Sequence, residues 1–168
     1  MPNRPPFPPS PDSSGTNLPD LLYRLVRDSF NPAYGEGWSR RQLADALALP
    51  TTHCLLIGAD GAAAVDDRAV GFALSRRILD EVELLLFAIM PDFRGRGLGG
   101  ALLTRFIDQS ARSGAARIFL EARRDNPATR LYLAHGFSPV GVRQNYYLGC
   151  DGAQIDSVSY SLRIAVDT

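Results

Sequence analysis

The sequence predicts an α/β (α+β) fold: a mixed, mostly antiparallel sheet with one central parallel βαβ unit and helices on both faces. Three observations carry this expectation. An unbroken apolar run, Leu84 to Met90, has the length of a strand buried on both faces, and Pro91, which cannot donate to a ladder, stops it. Four glycines follow within six residues (Gly95, Gly97, Gly99, Gly100), and a helical spacing begins at once with Leu98, Leu102 and Phe106, and one row over Leu103, Ile107 and Ala111. A second strand pattern, Ala116 to Ala122, comes next, apolar from Ile118 to Ala122 except at Glu121. Strand, helix and strand then make one right-handed unit, and its two strands run parallel.

The other elements follow in chain order. Met1 to Asn17 is rich in proline, with half of the chain's twelve, so a disordered tail is expected over 1–17 and a single domain over 18–168. Leu18 to Phe30 reads as a helix with Leu21, Leu22, Leu25 and Val26 on one face. Asn31 to Gly37 is a loop, and Ser39 can cap a second helix, Arg40 to Leu49, ended by Pro50. Trp38 either staples that helix or lines a groove. His53–Gly58, Ala69–Arg77 and Val82–Met90 predict three antiparallel strands. Gly114 suits the end of the long helix. A short helix, Ala128 to His135, starts after Pro127 and closes at Gly136. Phe137–Tyr147 and Ile155–Ile164 predict a final hairpin.

Composition narrows the function classes. With 18 acidic and 18 basic residues the charges balance, so nothing global draws the chain to nucleic acid or anionic lipid. The proline-rich start is not apolar and no apolar run reaches transmembrane length, so a cytoplasmic protein off the membrane is expected. Cys54 and Cys150 lie far apart without a Cys/His cluster, so no metal site is expected and both read as reduced thiols.

The glycine loop is the strongest functional signal. First-turn helix N–H groups lack helical partners, the helix dipole adds about half a positive charge, and glycines let a pyrophosphate approach the backbone. A P-loop requires a lysine and the chain has none. Gly95-x-Gly97-x-x-Gly100 matches a dinucleotide-binding pattern literally, but Pro91 to Arg94 separate it from its strand and no further βαβ unit follows. Arg94-x-x-Gly97-x-Gly99 fits a third pattern, and here the sequence resembles the GNAT acetyltransferases, whose acetyl-CoA pyrophosphate loop carries that signature.

The likeness extends further. Met90 to Gly99, then Leu120-Glu121-Ala122-Arg123, Asn126, Leu131-Tyr132-Leu133-Ala134-His135-Gly136-Phe137 and Val142-Arg143-Gln144-Asn145-Tyr146-Tyr147 resemble the RimI-type ribosomal-protein-alanine N-acetyltransferases, as does Trp38-Ser39 upstream. The resemblance covers about four fifths of the chain. It implies a GNAT fold, an acetyl-CoA site formed by Phe87, Ala88, Ile89, Arg94, Gly95, Arg96, Gly97, Leu98, Gly99, Gly100 and Asn126, Glu121 as general base and Tyr132 as general acid. It also implies an N-terminal protein segment, ribosomal or otherwise cytosolic, as acceptor; we expect a monomer. The chain departs from the family in three places. The proline-rich tail replaces an opening strand, Met90 stands where an acidic residue is usual, and the interval from Asn126 to Tyr132 is one residue short, which makes Asp125 an alternative to Asn126.

The residues themselves fit this chemistry. The divergence of the two parallel strands, with a cleft where Phe87, Ala88 and Ile89 can pair with pantetheine amides, is what the GNAT resemblance implies; the apolar run alone does not show it. A carboxylate at 121, inside an apolar strand, should be desolvated and its pKa raised toward that of a base, with Glu81 and Glu83 as rivals and an ion pair to Arg123 or Arg124 as the structural alternative. Tyr132 is a core aromatic or a hydrogen-bond donor to the departing thiolate. An α-amine costs about 1 kcal/mol to deprotonate at pH 7 and a lysine about 4.6, so one glutamate suffices for the former. The remaining alternatives are a GNAT acting on a small-molecule amine and a non-catalytic acetyl-CoA-binding module.

Overall fold

The computed structural model describes residues 17–165. The expected tail lies outside them except for Asn17, whose side chain caps the first helix, α1 (Leu18–Ser29), by accepting from the Asp20 N–H at 3.3 Å. Leu21, Leu22, Leu25 and Val26 form its buried face. A 3-10 turn, Pro32–Tyr34, precedes α2 (Arg40–Leu47). Ser39 and Gln42 close a reciprocal capping box at the start of α2. This helix stops before the expected Leu49: Leu49 N–H bonds the Ala46 carbonyl in a tighter turn, because the residue before Pro50 is pushed out of the helical region.

Six strands follow the helices: β1 (Thr52–Gly58), β2 (Ala69–Ile78), β3 (Glu81–Ile89), β4 (Arg117–Arg123), β5 (Ser138–Leu148) and β6 (Gln154–Arg163). Between β3 and β4 runs α3 (Leu98–Arg112), and between β4 and β5 runs α4 (Thr129–Ala134). The strands form one sheet in the order β1-β2-β3-β4-β6-β5. Only β3 and β4 pair in parallel; every other neighbour is antiparallel. The last strand inserts beside β4 and leaves β5 at the edge, a placement that hairpin spacing alone does not determine.

Helices cover both faces, as expected. Leu98, Leu102, Leu103 and Phe106 of α3 pack with Ile118, Leu120 and Val158 on one face. On the other, α1 and Leu43 of α2 pack with Leu56, Phe72 and Leu74. A bulge in β3 changes which face its side chains serve. Ser75 opposes Leu84 and Leu74 opposes Leu86, leaving Leu85 as the extra residue. Before it, Val82 and Leu84 join the α3 side; after it, Leu86 and Ala88 join the α1 side. Pairing of β3 with β4 ends at the same place, at Leu84 opposite Leu120. Beyond that point the two parallel strands have no mutual pairs, and the gap between them is the centre of the functional site.

Candidate active site

Two adjoining cavities open from the gap. The first, about 490 Å³, runs along the end of β3 and the glycine loop and reaches Asn126 and Leu131. The second, about 390 Å³, lies between Trp38 and Glu36 on one side and Glu121, Tyr132, Tyr146 and Tyr147 on the other. Phe30, Glu36, Phe87 and Asn126 line both.

The first cavity has the features of an anion-terminated cleft. Gly95 and Gly97 adopt φ values of +75° and +79°, and a Cβ added to either would meet no atom within 4 Å, so each glycine leaves open space that a side chain would fill. Among the described residues, no backbone carbonyl accepts from the N–H groups of Gly95, Arg96, Gly97, Leu98, Gly99 or Gly100. Gly99 and Gly100 are small for a different reason: a Cβ there would touch Leu131 at 3.3 Å and His135 at 3.9 Å respectively, so α4 approaches closely. Met90 donates to Val70 at 2.8 Å, which fixes the strand parity. The backbone groups of Phe87 and Ile89 therefore face the gap, while those of Ala88 face β2, opposite Phe72.

Of the residues expected at the cofactor, Phe87, Ala88, Ile89, Arg94, Gly95, Gly97, Leu98, Gly99 and Asn126 line this cleft. Arg96 and Gly100 do not. Arg96 turns back onto the Asp92 carbonyl at 3.1 Å and the Phe93 ring, and Gly100 faces α4. Arg94 is a brace: its guanidinium donates to the Ile89 and Ser29 carbonyls at 2.8 and 2.9 Å, tying the loop to β3 and to the end of α1. Asn126 accepts from the Ala128 N–H at 2.9 Å, and Asp125 pairs with Arg123 and lines neither cavity.

The second cavity gathers the expected catalytic pair. Glu121 projects on the α1 face of β4 with its side chain 38% exposed, 3.2 Å from Arg143, and it accepts from Ser159 at 3.3 Å. The expected desolvation of this carboxylate is therefore absent, and its ion-pair partner is Arg143 on β5, not Arg123 or Arg124. The sheet order explains both: β6 places Ser159 directly opposite Glu121, and β5 lies one strand beyond. Glu83 is held by Arg76 at 2.6 Å, and Arg117 sits 4.0 Å from Glu81. Tyr132 is 5% exposed, wedged edge-on between Phe87 and Phe137 with centroids at 6.0 and 5.9 Å. Burial, then the nearby Glu36 charge, pushes its hydroxyl well above the ordinary tyrosine range, so it stays a proton donor. Trp38 lines this cavity, the groove alternative, and packs against the core that includes α1.

Arg123, Tyr146 and Tyr147 belong to segments that carry the family resemblance but have no role assigned by it, and Glu36 has no sequence signal of its own. A three-residue bulge, Gln144 to Tyr146, opposes Asp156 alone and is pinned by Asn145 N–H donating to Asp156 at 3.0 Å. It brings Tyr146 and Tyr147 to the cavity. Arg123 is buried, stacked 3.6 Å over the Tyr34 ring, and bonded to both Glu36, at 2.9 Å, and Asp125. Burial opposes its charge, and the two carboxylates more than offset that, so its pKa rises. Glu36 is pushed above the usual carboxylate range, because burial outweighs the pull of Arg123. The loop carrying Glu36 reads in sequence only as a turn; its distant partner, 87 residues on, is what gives it a place in the site.

A splayed parallel pair, a glycine-bared helix start at its mouth and a carboxylate–tyrosine pair beside the gap define an acyl-CoA-dependent acyltransferase. The sequence profile of the Acetyltransferase (GNAT) family matches residues 20–137, and the chain belongs to that family. Among individual relatives, it is 38% identical over 102 residues to the [ribosomal protein bS18]-alanine N-acetyltransferase of Salmonella typhimurium, spanning 60% of this chain and 68% of that protein. The Escherichia coli (strain K12) enzyme of the same name is 37% identical over 100 residues, spanning 59% and 67%. The crystal structure of the ribosomal-protein-S18-alanine N-acetyltransferase from Escherichia coli superposes with a TM-score of 0.76 at 28% identity, covering 92% of this chain and 94% of that one.

Proposed function

We infer that this chain transfers the acetyl group of acetyl-CoA to the N-terminal α-amine of a protein, the alanine that opens a small-subunit ribosomal protein of the bS18 type. The observation that carries the reading is the adjacency of the two cavities: the cleft beside the glycine loop and the cavity holding Glu121 and Tyr132 share the walls Phe30, Glu36, Phe87 and Asn126. The similarity to enzymes named for that substrate supports the choice of acceptor.

The residues present fit acetyl-CoA. The unpaired amides of Gly95, Gly97, Leu98 and Gly99, which line the cleft, suit a diphosphate, and the Phe87 backbone, unpaired on its gap side, suits a pantetheine amide. When bound, the thioester supplies the activated acetyl group. Glu121 takes the proton that the acceptor ammonium must lose before its nitrogen can attack the thioester carbonyl, and its 38% exposure leaves a path through a bridging water. Ser159 and Arg143 fix the direction of the carboxylate. Tyr132, held protonated, donates a hydrogen bond that strengthens as negative charge develops on the departing sulfur. Trp38, Tyr146 and Tyr147 give the second cavity an aromatic wall for the first residues of an extended chain.

A panel of short peptides differing only in the first residue, assayed with acetyl-CoA, tests this. Peptides opening with a free alanine should be acetylated at the α-nitrogen, and bulky first residues should be rejected. Preference for a polyamine or another small amine over every peptide would overturn it.

A further inference from the structure

Among the described residues, Glu36 is the only ionisable side chain that lines both cavities. The acetyl carbon and the attacking nitrogen must meet where the cavities join, so the charge nearest that meeting point is carried by Glu36. Its side chain is 15% exposed, against 38% for Glu121 and 41% for Glu83. Coulombic attraction strengthens as water is excluded, so an ammonium interacts more strongly with Glu36 than with the two more exposed carboxylates. Those two are also engaged elsewhere: Arg143 and Ser159 converge on one oxygen of Glu121, and Arg76 holds Glu83.

Arg123 does not cancel Glu36. The guanidinium bonds Glu36 and Asp125 together and stacks on Tyr34, so one positive charge serves two carboxylates and the group keeps a net single negative charge. Arg123 donates to Oε2 of Glu36; among the described residues Oε1 has no hydrogen-bond partner. The cluster therefore holds the carboxylate in place, with one free acceptor oxygen and uncompensated charge, beside Tyr132 and Tyr147, both of which it influences electrostatically.

We propose that Glu36 is a second functional carboxylate of this enzyme: it binds the acceptor's α-ammonium at the junction of the cavities and presents the nitrogen for deprotonation by Glu121. The proposal rests on the N-terminal acetylation reading. It divides the work between two glutamates, one selecting and holding the cation, the other removing the proton. It also makes the Asn31–Trp38 loop part of acceptor recognition, through Arg123 as its anchor.

Binding of two peptides in the presence of CoA tests this. One has a free N-terminal alanine; in the other a propionyl group replaces the alanyl residue, so the ammonium alone is missing. The wild-type protein should bind the ammonium peptide roughly tenfold or more tightly, the value of a charge-assisted hydrogen bond. Glu36→Gln keeps an oxygen for Arg123 and removes the charge; it should bring the two affinities within about threefold of each other, with CoA affinity and melting temperature little changed. Glu36→Ala, which also loses the Arg123 contact, should add a fall in melting temperature. A preference that survives in E36Q and disappears only in E36A would show Glu36 to be a latch for Arg123 and would overturn the assignment, as would equal wild-type binding of both peptides. Ammonium-selective binding that depends on Glu36, without acetylation of any N-terminus, would instead overturn the function above and leave this site standing.

Discussion

Tyr132 and Glu121 show how one gap makes two different acid–base environments. The tyrosine is enclosed by Phe87, Phe137 and Tyr160, so its ionised form loses solvation and the hydroxyl keeps its proton. The glutamate lies on the solvated face of β4, paired with Arg143. A donor that never ionises in the working range has a consequence for pH dependence. The rate should rise as the acceptor amine, with a pKa near 8, loses its proton, and no fall from Tyr132 ionisation should appear up to about pH 10. Tyr132→Phe should lower kcat about tenfold or more and leave the shape of the pH–rate profile unchanged. A decline near pH 9.5 in the wild-type enzyme that vanishes in Y132F would contradict the placement of this hydroxyl.

Among the elements, the glycine loop and the β3 bulge shape the cleft. Gly97 caps α3 in the left-handed region with open space where a Cβ would stand. Gly97→Ala should destabilise the fold by about 1–2 kcal/mol through backbone strain. It should also weaken acetyl-CoA binding about tenfold or more, since the methyl group would enter the cleft; calorimetric titration and thermal melting separate the two effects. The loop was legible in the sequence because its chemistry is local: a strand stop, bare glycines and a helix start occur within one short segment. The βαβ unit was legible for the same reason. The bulge at Leu85 was not, because it sits inside a uniformly apolar run where either face accepts a leucine or an alanine. Nor was the setting of Glu121, which depends on β6 crossing to lie beside β4. Apolar neighbours along the strand suggested burial, but they face α3, and Glu121 faces the other way.

Across the molecule, two cores lie back to back on one sheet, and the site lies where the sheet opens between them. Both cores therefore position it, α1 and α2 through Trp38 and Glu36, α3 and α4 through the glycine loop and Tyr132. Leu102, fully buried on the sheet-facing side of α3, should cost about 2–5 kcal/mol when changed to alanine, whereas Val65→Ala, at a position 63% exposed, should stay within about 0.5 kcal/mol by denaturant unfolding. Periodicity and connection rules supplied both helical faces and four of the five strand neighbours, all but β4 with β6; long-range pairs such as Glu36 with Arg123 carry no periodic signature and became visible only in three dimensions.

The account turns on Glu121 acting on an α-amine presented beside the strand gap. The most direct measurement is single-turnover acetylation of a peptide that has a free N-terminal alanine and one internal lysine, with wild-type protein and Glu121→Gln at saturating acetyl-CoA, the modified nitrogen located by mass spectrometry. We expect the acetyl group on the α-nitrogen alone, and a rate about 10²–10³-fold lower in E121Q with acetyl-CoA affinity retained. Acetylation of the lysine, or an undiminished rate in E121Q, would contradict it.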